Sequence, residues 1–220
     1  MKERPILFSG AMVRAILDGR KTQTRRVVTR ELKNPGWTSY VYFPPHPSYP
    51  DRRGVAIECG PDYPDDDSDK VYCPYGDPGD RLWVRESFWG CDAPGYGDTP
   101  CVVYDDEWHG KEYRPEEIRP WAPKFGRIPS IHMPRSCSRI TLEVIGVRVE
   151  RLQDISEDDA RAEGAYLFPG EGGGWKFGRG EQEYDSAVEA YQHLWDSLNA
   201  ERGFGWDKNP WIWIIEFKRV

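Results

Sequence analysis

Apolar and polar positions alternate along this chain in short, clearly bounded runs. Ile6-Leu7-Phe8 is an apolar run followed by Ser9, and Met12, Ala15 and Ile16 then recur at helical spacing until Gly19. That pattern predicts a short helix capped by Ser9, with glycine as its stop. Val27-Val28 then predicts a strand. From the Pro78-Gly79 turn, Leu82, Val84, Glu86 and Phe88 fall on one side of an alternating segment, and Trp83, Arg85, Ser87 and Trp89 on the other. Glu86 is thus a carboxylate on an otherwise apolar side.

Ile140, Leu142 and Val144 alternate, but after Gly146 the parity shifts to Val147 and Val149. A bulge or sharp bend at that glycine explains the shift. Ser156-Glu157-Asp158-Asp159 has the form of a capping box opening a short helix that Gly164 ends. Ala187, Val188, Tyr191, Leu194, Trp195 and Leu198 mark an amphipathic helix whose stripe reads as core packing. Trp211 to Phe217 is apolar at both parities, which predicts a strand buried on both faces.

Three stretches lack a sustained period and are expected to be irregular insertions, at about 33–78, 90–135 and 165–183. The first holds many prolines, several tyrosines and Asp65-Asp66-Asp67; the last is rich in glycine without phosphate-loop spacing. Strands outweigh helices and no β-α-β repeat appears. The expected fold class is α+β, a small curved sheet with flanking helices, in a single domain over residues 1–220.

Composition changes the picture mainly through charge. The net charge of the 220 residues is -7, yet residues 1–33 hold nine Lys/Arg against three Asp/Glu, and residues 127–151 five against two. An acidic protein can still hold polyanions if its basic residues converge on one face. The densest group is Gly19-Arg20-Lys21-Thr22-Gln23-Thr24-Arg25-Arg26, four cations with two hydroxyls among them, an arrangement suited to anions and phosphates above all. Five cysteines without a C-x-x-C pair read as free thiols in a reducing cytoplasm. The four histidines show no ligand spacing, so no metal and no other cofactor are expected. No run approaches the roughly 20 apolar residues of a membrane span.

Gly19-x-Lys21-x-x-Thr24-x-Arg26, then Pro78-Gly79-Asp80-Arg81-Leu82-Trp83-Val84-Arg85-Glu86, resembles the ASCH family of the PUA-like superfamily. Arg139-Ile140-Thr141-Leu142-Glu143-Val144 with the trailing Asp154-Ile155-Ser156-Glu157 adds to the resemblance. It covers less than half of the chain, and the long form with tryptophan-rich insertions is similar to ASCH proteins of bacterial phages and prophages. The resemblance implies a small curved β-barrel related to the PUA fold, with a cleft beside the Gly-x-Lys motif. It also implies a partner that is nucleic acid (RNA ahead of DNA) or a modified nucleoside. Some small bacterial members are amidohydrolases that remove the acetyl group from acetylcytidine with a Lys, Thr, Glu set. Carried over by motif, that set falls on Lys21, Thr24 and Glu86, with Arg26 as the motif's ligand candidate. Arg20, Trp83, His132, Arg135 and Arg139 complete the expected binding residues, Trp83 as a stacking surface and the arginines as a basic face.

The chemistry leaves alternatives open. A threonine hydroxyl needs a base to take its proton. Lys21 serves only if burial holds it neutral, while an ionised carboxylate beside it favours the ammonium form. Either desolvation wins and Lys21 is the base, or Glu86 accepts the proton and charged Lys21 steadies an oxyanion. A structural alternative is a Lys21–Glu86 ion pair closing the barrel. Lys21 and Thr24, three apart, meet only if the chain turns between them. Beside the amidohydrolase stand a non-catalytic RNA- or DNA-binding module, a ribonuclease, and a phage accessory protein that docks on a host protein through its tryptophan-rich insertions.

Overall fold

The computed structural model describes residues 1–29, 38–43, 54–59, 70–91, 101–104, 111–112, 126–169, 173–177 and 182–220. The Asp65-Asp66-Asp67 run and part of the glycine-rich stretch lie outside the described residues. The N-terminal elements are β1 (Glu3–Leu7), α1 (Gly10–Leu17), β2 (Gln23–Val27), β3 (Thr38–Phe43), β4 (Gly54–Cys59) and β5 (Lys70–Tyr72). In the middle lie β6 (Arg81–Arg85), β7 (Phe88–Cys91), β8 (Cys101–Tyr104), β9 (Lys111–Glu112), β10 (Gly126–Ile128) and β11 (Thr141–Arg151). The chain closes with α2 (Glu157–Ala162), β12 (Tyr166–Leu167), β13 (Trp175–Lys176), α3 (Ala187–Asn199) and β14 (Trp211–Arg219).

Five strands make the principal sheet, in the order β1-β6-β11-β14-β2. β1 runs parallel to β6 and the remaining pairs are antiparallel. The β11–β14 ladder changes register between Val144 and Gly146, the bulge that the parity shift predicts. β14 separates two cores. Trp213, Ile215 and Phe217 join Ile6, Leu82, Val84 and Leu142 under α1, whereas Ile212 and Ile214 meet Leu152, Tyr191 and Trp195 under α2 and α3. Each such side chain contributes about 1.5–3 kcal/mol by leaving water, so β14 is anchored from both faces.

The helices follow their caps. Ser9 Oγ accepts from the Met12 amide at the start of α1, and Gly19 takes φ +73° just after its end. In α2, Ser156 and Asp159 exchange the reciprocal bonds of a capping box, and Gly164 follows with φ +112°. Only a residue without a Cβ adopts such a turn cheaply.

Two expectations change. The stretches expected to be irregular carry sheet: β3-β4-β5 form a three-stranded unit, β10-β7-β8-β9 a four-stranded one, and β12-β13 a two-stranded one. Their strands are short and lack strict alternation, so the period test passes over them. The fold is mixed α and β as expected, but among the described residues no pairing closes the principal sheet into a barrel. Its edges, β1 and β2, are bridged by a side chain instead: Arg26 Nη2 donates to the Leu7 carbonyl at 2.6 Å. No helix is long and apolar enough to cross a membrane among the described residues.

Candidate nucleic-acid cleft

The two sheet edges face each other across a cleft of about 760 Å³, within the range of small-ligand sites. Its lining includes Thr24, Arg25 and Arg26, the end of the basic cluster. The chain leaves α1 with the Arg20 and Lys21 amides both donating to the Ala15 carbonyl, turns, and enters β2 at Gln23. Within β2, Thr24 lies opposite Ile215 and faces the first core, while Arg25 lies opposite Ile214 and faces the second. Arg25 and Arg26 therefore point to opposite sides, as alternation requires.

Lys21 is fully buried, and its partner is not the expected one. Nζ lies 2.5 Å from Glu163 Oε2 and donates to the Glu163 carbonyl at 2.9 Å. Burial pulls the Lys21 ammonium below the ordinary lysine range, and the Glu163 carboxylate works against that fall. Arg25 Nη1 lies 3.3 Å from the other oxygen of the same carboxylate. Arg25 Nη2 lies 3.3 Å from Asp159 Oδ2 without hydrogen-bond alignment. Asp159 also accepts from Gln23 Nε2 at 3.0 Å and from Arg148 Nη2 at 2.8 Å. Its burial alone would raise its pKa, but hydrogen bonds from Gln23 and Ser156 and the charge of Arg25 hold it well below the carboxylate range. Tyr191 stands over Arg25, 5.9 Å from guanidinium carbon to ring centre, and burial first, then Glu163, pushes its phenol well above the ordinary value.

Glu86 belongs to another assembly. Its two oxygens receive Arg139 Nε at 2.9 Å and Nη2 at 2.8 Å, the fork geometry of a strong carboxylate–guanidinium pair. The Arg139 guanidinium in turn covers the Tyr104 ring at 4.1 Å. The Lys21–Glu86 ion pair offered as a structural alternative is therefore replaced by Lys21–Glu163 and Glu86–Arg139. Thr24 and Glu163 both line the cleft; Lys21 sits behind them, and Glu86 is not part of its wall.

The binding candidates divide the same way. Arg26 lines the cleft, with its guanidinium 5.2 Å from the Phe8 ring centre. Arg20 turns aside, donating to the Gly164 carbonyl at 3.0 Å and to Asp18 at 2.8 Å, over the Tyr166 ring. Trp83 lies nearly buried on the outer face of β6, with the guanidinium carbons of Arg85 and Arg135 at 4.7 and 6.0 Å from its ring. Arg135 pairs with Glu3 at 3.0 Å. His132 sits half-buried in a single turn of 3-10 helix, outside the cleft wall.

Residues that sequence reasoning passed over complete the site. Leu198, Arg202, Arg127 and Ile131 line the cleft, together with the exposed Leu7. Leu198 was expected in the core but is 45% exposed, and Ile131 is 57% exposed. Glu163 gave one signal, its place just before the Gly164 stop of α2, but nothing in that spacing names a partner 142 residues away. Among the described residues no group of three or more His, Cys, Asp or Glu side chains could hold a metal.

No family model and no curated protein matches the chain. Among solved structures, the high-resolution crystal structure of an ASCH domain from Lactobacillus crispatus is similar. It is 11% identical, the match covers 99% of this chain and 79% of that one, and the TM-score is 0.39. That is a likeness at low identity, and the chemistry must come from the residues themselves.

Proposed function

We propose that the cleft between β1 and β2 binds nucleic acid or a modified nucleoside, and that Lys21, Thr24 and Glu163 deacylate an amide on the bound base. One observation carries the reading. A buried lysine whose ammonium is destabilised touches the Glu163 carboxylate, and Glu163 and Thr24, themselves buried, are among the residues lining an arginine-walled cleft. The motif resemblance supports Lys21 and Thr24 alone; it puts the glutamate at Glu86, and Glu163 enters through its contact with Lys21.

In this reading neutral Lys21 takes the Thr24 proton, and the Thr24 oxygen attacks the acyl carbon. The carbon–nitrogen bond breaks, and the exocyclic amine leaves with the proton from Lys21. Water then splits the threonyl ester, returning the hydroxyl and releasing the acid. Glu163 holds the lysine in place, and Arg26 offers hydrogen bonds to the anionic oxygen or to a flanking phosphate.

The test is incubation with N4-acetylcytidine and detection of free cytidine. Wild type releases cytidine and Thr24→Ala loses about 100-fold or more of the rate; equal rates in the two proteins end this reading. A binding-only reading draws on one feature, the complete burial of Lys21. It predicts RNA affinity that survives Thr24→Ala with no cytidine released by either protein.

A further inference from the structure

The outer face of β1 and β6 continues from the rim of the cleft. Leu7 and Pro5 line the cleft, and in the parallel β1–β6 register they lie directly beside Arg85 and Trp83. Paired residues of neighbouring strands share a face, so the rim leads onto Leu7 with Arg85, then Pro5 with Trp83, then Glu3 with Arg81. Arg135 adds its guanidinium over Trp83 from the turn before β11.

This lane has an unbalanced charge. Arg81 and Arg85 make no ion pair with any carboxylate among the described residues, and the Nε of each is buried without a hydrogen-bond partner. The acids on this face are shared: Glu3 holds Arg135 and also attracts Arg81, and Glu143, beside Arg81 in the β6–β11 register, holds Lys218 at 3.2 Å, so arginines outnumber the acids left for them. The Arg85 guanidinium lies against the Trp83 ring, which fixes its plane and leaves its edge for an acceptor. In a protein of net charge -7, unpaired arginines beside an arginine-walled cleft need an external anion.

We propose that this lane binds the phosphates flanking the nucleotide held in the cleft, so that the ligand is a single-stranded nucleic acid and not a free nucleoside. The inference rests on reading the cleft as a nucleic-acid site. It adds Arg81 and Arg85 as sequence-independent phosphate contacts, Trp83 as the group that orients Arg85, and a strand path out of the cleft over Leu7. A free nucleoside would leave the lane empty.

The experiment measures binding of labelled single-stranded RNA of about 12 nucleotides across a salt series, in wild type, Arg81→Ala/Arg85→Ala and Arg81→Lys/Arg85→Lys. The plot of log affinity against log salt is expected to flatten by about 0.7 for each arginine lost in the alanine protein, the release expected per phosphate contact on a single strand. The lysine protein keeps the wild-type slope. Wild-type affinity also rises as the RNA is lengthened from one nucleotide, and the alanine protein loses that dependence. An unchanged slope in the alanine protein, an equal loss with lysine, or no RNA binding by wild type overturns the proposal. So does equal competition by polyglutamate, which would make the lane a docking face for acidic protein. Failure of the deacylation is a separate result: absent cytidine release with the slope change intact removes the chemistry and keeps the lane.

Discussion

Lys21 Nζ and Glu163 Oε2 lie 2.5 Å apart with both side chains sealed from solvent, at the point where the end of α2 meets the entry to β2. A buried pair of this kind contributes little net stability when intact, but loss of one member strands the other charge. Glu163→Gln is therefore expected to lower the unfolding free energy by about 3–5 kcal/mol, read from urea denaturation. Lys21→Met combined with Glu163→Leu should recover only part of that loss, because it removes the buried ammonium but leaves the buried Arg25 guanidinium with Asp159 alone.

Glu86 and Glu163 are separated in place, one held by Arg139 and the other by Lys21 and Arg25. If Glu163 serves the floor of the cleft and Glu86 only anchors Arg139, Glu86→Gln lowers thermal stability without changing the pH profile of cytidine release. Glu163→Gln in any fraction that folds shifts that profile to lower pH, since Lys21 loses the carboxylate that raises its pKa. A profile shift with Glu86→Gln and none with Glu163→Gln would restore Glu86 to the site.

The acid limb of stability should depend on Asp159. Its pKa is held low in the folded protein by Gln23, Ser156 and Arg25, against the opposing effect of burial, while in the unfolded chain it returns to about 3.9. A carboxylate depressed by folding contributes stability above its unfolded pKa and loses it as pH falls towards the folded one. Wild type should thus weaken progressively below about pH 4, and Asp159→Asn should be less stable at neutral pH with a flatter acid limb. Unfolding midpoints by circular dichroism between pH 7 and pH 2 check the slope.

Gly164 holds α2 against the floor of the cleft. Its φ of +112° is strained for any residue with a Cβ, and an added Cβ would sit 3.0 Å from Ala15 Cβ and 3.6 Å from Lys21 Cβ. Gly164→Ala should cost about 1–3 kcal/mol and push α2 from α1. Amide exchange is expected to speed up at Thr22, whose N–H donates to the Ala162 carbonyl. Unchanged exchange there would mean the turn relaxes without moving the helix.

Thiol chemistry offers a check on packing. Burial first pushes the Cys73 thiol up to about 12 despite hydrogen bonds from the Tyr75 and Gly76 amides, and Cys137 is fully buried. At pH 8 both should alkylate slowly in the folded protein and rapidly in urea, since the thiolate is the reacting form. Mass spectrometry of the labelled peptides distinguishes the sites.

The sequence by itself determined what depends on neighbours in the chain. The cap at Ser9, the capping box at Ser156, the glycine stops and the parity shift at Gly146 are local, because helix ends and bulges are set by a few consecutive residues. β14 was legible as a strand buried on both faces because both of its parities are apolar. The basic cluster was legible as a concentration of charge, four cations within seven residues, but not that Asp18 and Glu163 engage three of them. Tertiary structure alone decided which carboxylate meets Lys21. Alternation shows the side of a strand on which Glu86 sits but not what stands opposite, and the partner came from a helix 142 residues away. It also decided that β1 and β2 end as the two edges of the sheet, that Leu198 lines the cleft and not the core, and that Arg85 has no ion pair among the described residues. Contacts between distant segments depend on how the two cores stack about β14, and no local spacing encodes that.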